Sequence, residues 1–219
     1  MIDSNRLKKV KENRALLVPL IDTTFLCGHL GISFRGHRDD SSFHPEAGEY
    51  SKDPGLGNYI EVINFAIRRG DKPLHYEKSP KNASYLSKTS QNDLIKSCAN
   101  IIVEDIILRI KKAKCFSILA DECMDMSGKE QLSFTLRFVE DGGAICEEFL
   151  GFVQLVNGLS GKDIAEAILT KVNELGLDIK NCRDQGYDGA GAMSGFRYGR
   201  SANILEINRK ALYTHCFSH

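Results

Sequence analysis

Two aspartates in this chain stand where a strand-like run gives way to a loop. Asp121 closes the apolar run CFSILAD, and Asp188 closes the run that ends QGYD. In open α/β sheets, ligands sit beyond the carboxyl ends of parallel strands. If the two strands are neighbours, their axes lie ~4.8 Å apart, and both carboxylates project into one crevice. That spacing suits one shared divalent cation, or two ions ~3.5–4 Å apart holding the attacking and leaving oxygens of a phosphoryl displacement. Mg²⁺ fits such a pair, because it takes few carboxylates and keeps its other positions for water and substrate phosphate. The competing reading is that each aspartate only caps the helix that follows it.

The glycines of QGYDGAGAMSG support the carboxylate reading. Gly186, Gly189 and Gly191 remove side chains around Asp188, which permits tight backbone conformations and the close approach of a phosphate or a neighbouring strand. A phosphate-cradling loop is the weaker reading, since the stretch has neither GxxxxGK[ST] nor the spacing of GxGxxG. The terminal THCFSH offers His215, Cys216 and His219. One such cluster supplies at most three zinc ligands and has no partner CxxC, so core packing with a hydrogen-bonding histidine is the preferred reading and no zinc site is expected.

The elements that must carry these residues change character midway. Leu7, Val10, Leu17, Ile21 and Phe25 recur at helical spacing, with Pro19 expected to kink or interrupt the helix. A polar loop rich in Gly, Ser, His, Asp and Pro covers about 31–57, and a short helix follows at about 58–69. Ser90 to Lys112 reads as a helix capped by Ser90, with Asp93 three residues on and Ile95, Cys98, Ile102, Ile106 and Ile110 along one face. From residue 115 the pattern turns to strands. CFSILAD (115–121) reads as a buried strand, QLSFTLRFVE (131–140) alternates with period two, and AICEEFLGFVQL (144–155) returns across the turn DGG as a hairpin. Ser160 caps a helix ending at Gly176. A strand at about 179–187, a helix at about 190–209 and a strand at 211–217 complete the order. Strand, strand, strand, helix, strand, helix, strand implies an α/β fold with a mixed five-stranded sheet, its first, fourth and fifth strands parallel through right-handed crossovers.

Composition sets the outer limits. The 219 residues, 42% hydrophobic and 26% charged, are those of a folded chain rather than a disordered one. No run approaches the ~18–20 apolar residues of a membrane span, and the charged N-terminus lacks the apolar core of a signal peptide. The 7 cysteines (Cys27, Cys98, Cys115, Cys123, Cys146, Cys182 and Cys216) form no CxxC pair and fit a reducing, intracellular compartment. Net charge is zero, but residues 1–114 hold 19 Lys/Arg against 14 Asp/Glu, and the remainder 10 against 15. The basic clusters at 6–11, 35–38, 68–72 and 109–114 read first as solvated helix faces and second as phosphate contacts.

The element order resembles that of ribonuclease-H-like nuclease and transposase domains. DECMDMSGKEQLSFTLRFV, CEEFLGFVQL, RDQGYDGAGAMSG and YTHCFSH are similar, in order and spacing, to successive blocks of hAT-type transposases. Within these, the chain resembles the transposase-derived proteins of the MYM-type zinc-finger and kinase-inhibitor-repressor group. FRGHRDD, GNYIEVINFAIRRGD and SYLSKTSQNDLI resemble the domain of unknown function that leads into the core in the same group.

The resemblance implies a helical leader over 1–113 and a partial, C-terminally truncated ribonuclease-H-like core over 114–219. It implies that Asp121 and Asp188 are catalytic and hold Mg²⁺ or Mn²⁺, with Gly189 and Gly191 in support. Cys216 and His219 match a CxxH element that supports the active site and nearby DNA. The family reaction is metal-dependent cutting of DNA at transposon ends followed by strand transfer, and a nuclear location follows from such a role. The family's third acid, a Glu, lies far downstream of these blocks. Glu206 cannot replace it, since 18 helical residues from Asp188 put it roughly 27 Å away, and Asp125 is the better stand-in by position. Asp184 stands where the block implies Gly. The chain is therefore expected to be catalytically incomplete, the alternative being a domesticated module that binds protein or DNA without catalysis.

Overall fold

The computed structural model describes residues 4–36, 57–70, 85–187 and 200–215. The chain divides into two compact units, Met1–Asn100 and Ile101–His219, and the dividing point falls inside a helix. No helix among the described residues is long and apolar enough to cross a membrane.

In the first unit, α1 (Ser4–His29) runs unbroken through Pro19. The expected interruption does not occur. Proline removes one rung of the helical ladder, and packing of the next two turns outweighs that loss. Thr23 Oγ1 donates to Pro19 O at 2.8 Å and Thr24 Oγ1 to Leu20 O at 2.9 Å. The buried face is Leu20, Thr23, Thr24 and Cys27, whereas Leu7, Val10 and Phe25 of the expected stripe are exposed. Its contacts come from α2 (Asn58–Arg68), which buries Tyr59, Ile60 and Ile63. Tyr59 donates its hydroxyl to Leu20 O at 2.9 Å, and its ring stacks on Phe34 with centroids 5.0 Å apart. Burial pushes the Tyr59 hydroxyl up to about 12.

Helix α3 (Lys88–Ala113) starts earlier than its apolar pattern suggests. Ser87, rather than Ser90, supplies the cap, its hydroxyl accepting from Ser90 N at 3.2 Å. Gln91 locks the same turn by donating to Leu86 O at 2.9 Å. Of the expected face, Ile106 and Ile110 are buried and Ile95 and Ile102 are exposed.

The second unit is a five-stranded sheet in the order β3-β2-β1-β4-β5. Its strands are β1 (Phe116–Met124), β2 (Glu130–Val139), β3 (Ile145–Gln154), β4 (Cys182–Tyr187) and β5 (Leu212–His215). β1, β2 and β3 pair antiparallel, and β1, β4 and β5 pair parallel. The mixed α/β sheet is the one the element order implies. Helix α4 (Gly161–Glu174) carries the expected cap: Ser160 Oγ accepts from Asp163 N while the Asp163 carboxylate accepts from Ser160 N. A 3₁₀ turn at Ile179–Asn181 occupies the start of the expected fourth strand. Of the expected last helix, the described part is α5 (Arg200–Ile207).

Strand parity divides the sheet into two faces. Phe116, Ile118 and Ala120 of β1 and Leu132, Phe134, Leu136 and Phe138 of β2 point into one core. Ile106, Ile107 and Ile110 of α3, Ile164, Ile168 and Val172 of α4 and Ile204 of α5 complete it. The same helix α3 ties down the β2–β3 hairpin through Arg109. Its Nε donates to Glu140 Oε1 at 2.7 Å, its Nη1 to Glu148 Oε1 at 2.9 Å, and its guanidinium lies 5.4 Å from the Phe138 ring centre. Lys112 reaches Asp141 at 2.8 Å. Two residues of the basic cluster at the end of α3, Arg109 and Lys112, are thus matched by acids of the hairpin. Arg109→Met should lower the thermal midpoint by a few degrees and speed amide exchange in β3, because Glu140 and Glu148 lose a shared cation. An unchanged midpoint and unchanged β3 protection would show that the hairpin does not depend on this clamp.

Candidate functional site on the open face of the sheet

The odd-numbered residues of β1 line the face opposite the core. Ser117, Leu119, Asp121 and Cys123 are half-buried there. β1 does not end at Asp121. Antiparallel pairing with β2 carries it on to Met124, opposite Glu130, so Asp121 is a strand residue facing Ser133. On the other side, parallel pairing with β4 is described as far as Leu119 opposite Gly186. Asp121 lies two residues beyond the described parallel pairing and inside the antiparallel ladder. That ladder is why an apolar run that stops at residue 121 under-reads the strand.

Ser133 fixes this point by donating its hydroxyl to Asp121 O at 3.1 Å. Across the same face, the rows run Asp121, Ser133, Phe152 and then Leu119, Thr135, Phe149. Between them β3 carries an extra residue, and Gly151 there adopts φ 112°. This β-bulge brings Phe149 and Phe152 onto one face although their numbers differ by three. Their rings meet edge to face at 5.1 Å. The sequence held one signal of this, a glycine inside a strand.

Gly186 answers for one of the expected glycines. A Cβ built there would lie 2.7 Å from Leu119 Cδ2, so the missing side chain admits the neighbouring strand's leucine. Asp184, two residues earlier, accepts from Thr214 Oγ1 at 2.6 Å and so joins β4 to β5. Cys182 is buried at the start of β4, and burial pushes its thiol up to about 11.

Asp125, the positional stand-in for a third acid, is committed elsewhere. Its Oδ1 accepts from Ser127 N at 2.8 Å, Ser127 Oγ at 2.7 Å and Lys129 N at 2.9 Å, closing the β1–β2 turn. These bonds, that from Lys129 N foremost, hold its carboxyl below the usual aspartate range. Glu206 is exposed on α5, and His215 ends β5 opposite Tyr187. Asp188, Gly189, Gly191, Cys216 and His219 lie outside the described residues. Among the described residues, no group of three or more His, Cys, Asp and Glu is placed to hold a metal ion.

A family model described as DUF4371, ZMYM1/FAM200, RNase-like domain, matches residues 1–199. The chain is also similar to the "52 kDa repressor of the inhibitor of the protein kinase" of Mus musculus, with 30% identity over 211 residues, 95% of this chain and 27% of the relative. The Homo sapiens protein of the same name is 29% identical over 211 residues, 95% of this chain and 26% of its own length. The chain thus spans about a quarter of the length of these curated relatives.

Two measurements test the local geometry. Gly186→Ala should cost about 1–3 kcal/mol of stability through overpacking. Adding Leu119→Ala should recover part of it, whereas costs that simply add would remove the contact from the account. Asp125→Ala should destabilise the chain at neutral pH and not in strong acid. A carboxyl whose folded pKa is depressed stabilises fully above its unfolded value, ~3.9, and that stability is lost as pH falls through the folded value. Chemical denaturation at both pH extremes reads the difference directly, and an equal deficit at both would assign Asp125 no electrostatic part.

Proposed function

We infer that this chain, which belongs to the DUF4371 family of ZMYM1/FAM200 RNase-like domains, retains the metal-binding carboxylates of a hAT-type transposase core and binds Mg²⁺ or Mn²⁺ without cutting DNA on its own. The observation that carries this reading is the parallel pairing of β1 with β4, in which Leu119 stands opposite Gly186. Asp121 follows Leu119 by two residues, and Asp188 follows Gly186 by two residues in the sequence.

The donors at this point fit the ion. Asp121 and Ser133 offer carboxylate and hydroxyl oxygens on one face, the hard donors that Mg²⁺ takes. Asp121 and Asp188 would hold the cation, and a bound cation would polarise a phosphoryl oxygen. The rest of the work belongs to the chain itself. Ser133 pins the Asp121 carbonyl and so sets the position from which the carboxylate projects. Gly186 leaves room for the Leu119 side chain to lie across β4 where the two strands pair in parallel. Asp125 keeps its Oδ1 in its own turn, and among the described residues no group of three or more metal-ligating side chains is placed together for a two-ion displacement. DNA is the ancestral partner in this reading, and the nucleus its place of action.

A second reading has support from the relatives: both are named as repressors, which suits an interaction module without catalysis. The two readings separate on the carboxylates. Titrating Mn²⁺ into the purified chain should give saturable binding that Asp121→Asn and Asp188→Asn each weaken at least tenfold, with no cleavage of duplex or hairpin DNA. Equal Mn²⁺ affinity in both variants would leave the interaction module. DNA cutting that Asp121→Asn abolishes would overturn the incomplete-enzyme part.

A further inference from the structure

We propose that the N-terminal half of α1 docks in the major groove of duplex DNA, its cations meeting phosphates on both walls of the groove. The proposal rests on the reading of DNA as this chain's partner, but not on its carboxylates. Arg6, Lys8, Lys9, Lys11 and Arg14 crowd into one short segment beside a single acid, Glu12. Residues 5–15 are all exposed, whereas the second half of the same helix is held by Leu20 and Cys27 in the core with Tyr59. None of the five cations is in an ion pair with a described residue, in contrast to Arg109, Lys112 and Arg137.

These charges work against the helix taken alone. A helix N-terminus carries a partial positive charge, and acids in the first turn stabilise it. The first turn of α1 holds no acid, and Arg6, Lys8 and Lys9 set like charge against the dipole. The same arrangement favours an anion that approaches from outside, because the macrodipole and the free amides add to the side-chain cations.

Their angular spread decides which polyanion fits. At ~100° per residue, Arg6, Arg14, Lys11, Lys8 and Lys9 fall at about 0°, 80°, 140°, 200° and 300° around the helix axis. Cations thus face every side. An anionic bilayer engages one side only, and an interfacial helix buries a continuous apolar face. Here Arg14 falls between Leu7 and Val10 on the helical wheel, which breaks that face. A major groove ~12 Å wide admits a helix ~10–12 Å across and runs phosphates along both sides of it. The A-form major groove of duplex RNA is too narrow for such an entry. From Arg6 to Arg14 the helix rises ~12 Å, a length over which duplex DNA carries roughly seven phosphates. Phosphate contacts carry no sequence information, so the docking tolerates any sequence.

The test uses the full chain and a short labelled DNA duplex of mixed sequence, followed by fluorescence anisotropy in EDTA over a series of salt concentrations. Each phosphate contact contributes about −0.9 to the slope of log affinity against log salt. Lys8→Ala, Lys9→Ala and Lys11→Ala together should weaken duplex binding roughly tenfold at low salt and flatten that slope by about 2–3. Glu12→Ala should tighten binding, since it removes the segment's one acid. Alanine is a better helix former than lysine or glutamate and the positions are exposed, so circular dichroism should show every variant folded. Unchanged affinity and slope in the triple variant would overturn the proposal. Equal affinity for duplex RNA would do the same, as would a preference for phosphatidylserine vesicles over the duplex. The Mn²⁺ titration keeps the two readings apart. Duplex binding that needs α1, with Mn²⁺ uptake independent of Asp121, sinks the cation site and leaves the helix. Mn²⁺ uptake that needs Asp121, with duplex binding indifferent to α1, does the reverse.

Discussion

One constraint organises the sheet: a single strand, β1, must pair antiparallel on one side and parallel on the other. β1 is the strand that joins the antiparallel half of the sheet to the parallel half, and it has to satisfy both neighbours at once. On the β2 side it does so through a long ladder from Ser117 to Met124. On the β4 side the described ladder is short and ends where Leu119 leans over position 186. Any side chain at that position would meet Leu119 Cδ2. The glycine therefore lets the Leu119 side chain lie across β4 where it does, at the join that carries Asp121 toward the β4 side of the sheet.

Around that join, each element serves one face. The even residues of β1 and β2 and the apolar stripes of α3, α4 and α5 bury one another, which is where the hydrophobic stabilisation lies. Polar ties then hold the margins. Arg109 spans from α3 to both strands of the hairpin, Asp184 and Thr214 join β4 to β5, and Gln185 donates to Ser201 O at 3.1 Å and to Ala211 O at 2.8 Å. Buried amide groups that bond to backbone carbonyls in this way fix the approach of α5 and the start of β5. The opposite face is left to small, polar and aromatic side chains, and chemistry has room there.

How much of this was legible in the sequence varied with the physics behind each element. The hairpin within a mixed sheet could be read because period-two alternation in QLSFTLRFV and the turn at 141–143 are local signals. Ser160 with Asp163 was equally local. Pro19 misled because the loss of one backbone bond is local, while the packing of Leu20 and Cys27 on Tyr59 is not. The buried face of α1 includes Thr23 and Thr24, whose hydroxyls are satisfied by their own helix, and a count of apolar residues passes over them. At the site, Asp121 was legible as an acid ending an apolar run. Its true setting was not, because the strand continues to Met124 through pairing with β2. Asp125 looked available by position, and only the turn geometry shows its oxygen in use. The shared face of Phe149 and Phe152 was hidden for a similar reason, since a bulge changes which face a residue takes without changing its identity.

The bulge at Gly151 also separates two kinds of sequence change. Substitutions along β3 alter one side chain at a time and leave the frame of the strand intact. A single-residue insertion or deletion between Phe149 and Phe152 would shift every later side chain of the strand across the sheet, exchanging Leu150's side for that of Phe152. The hairpin is therefore tolerant in composition and intolerant in length. The spacing FLGF, with glycine at its third position, is what sets the face that each later side chain takes.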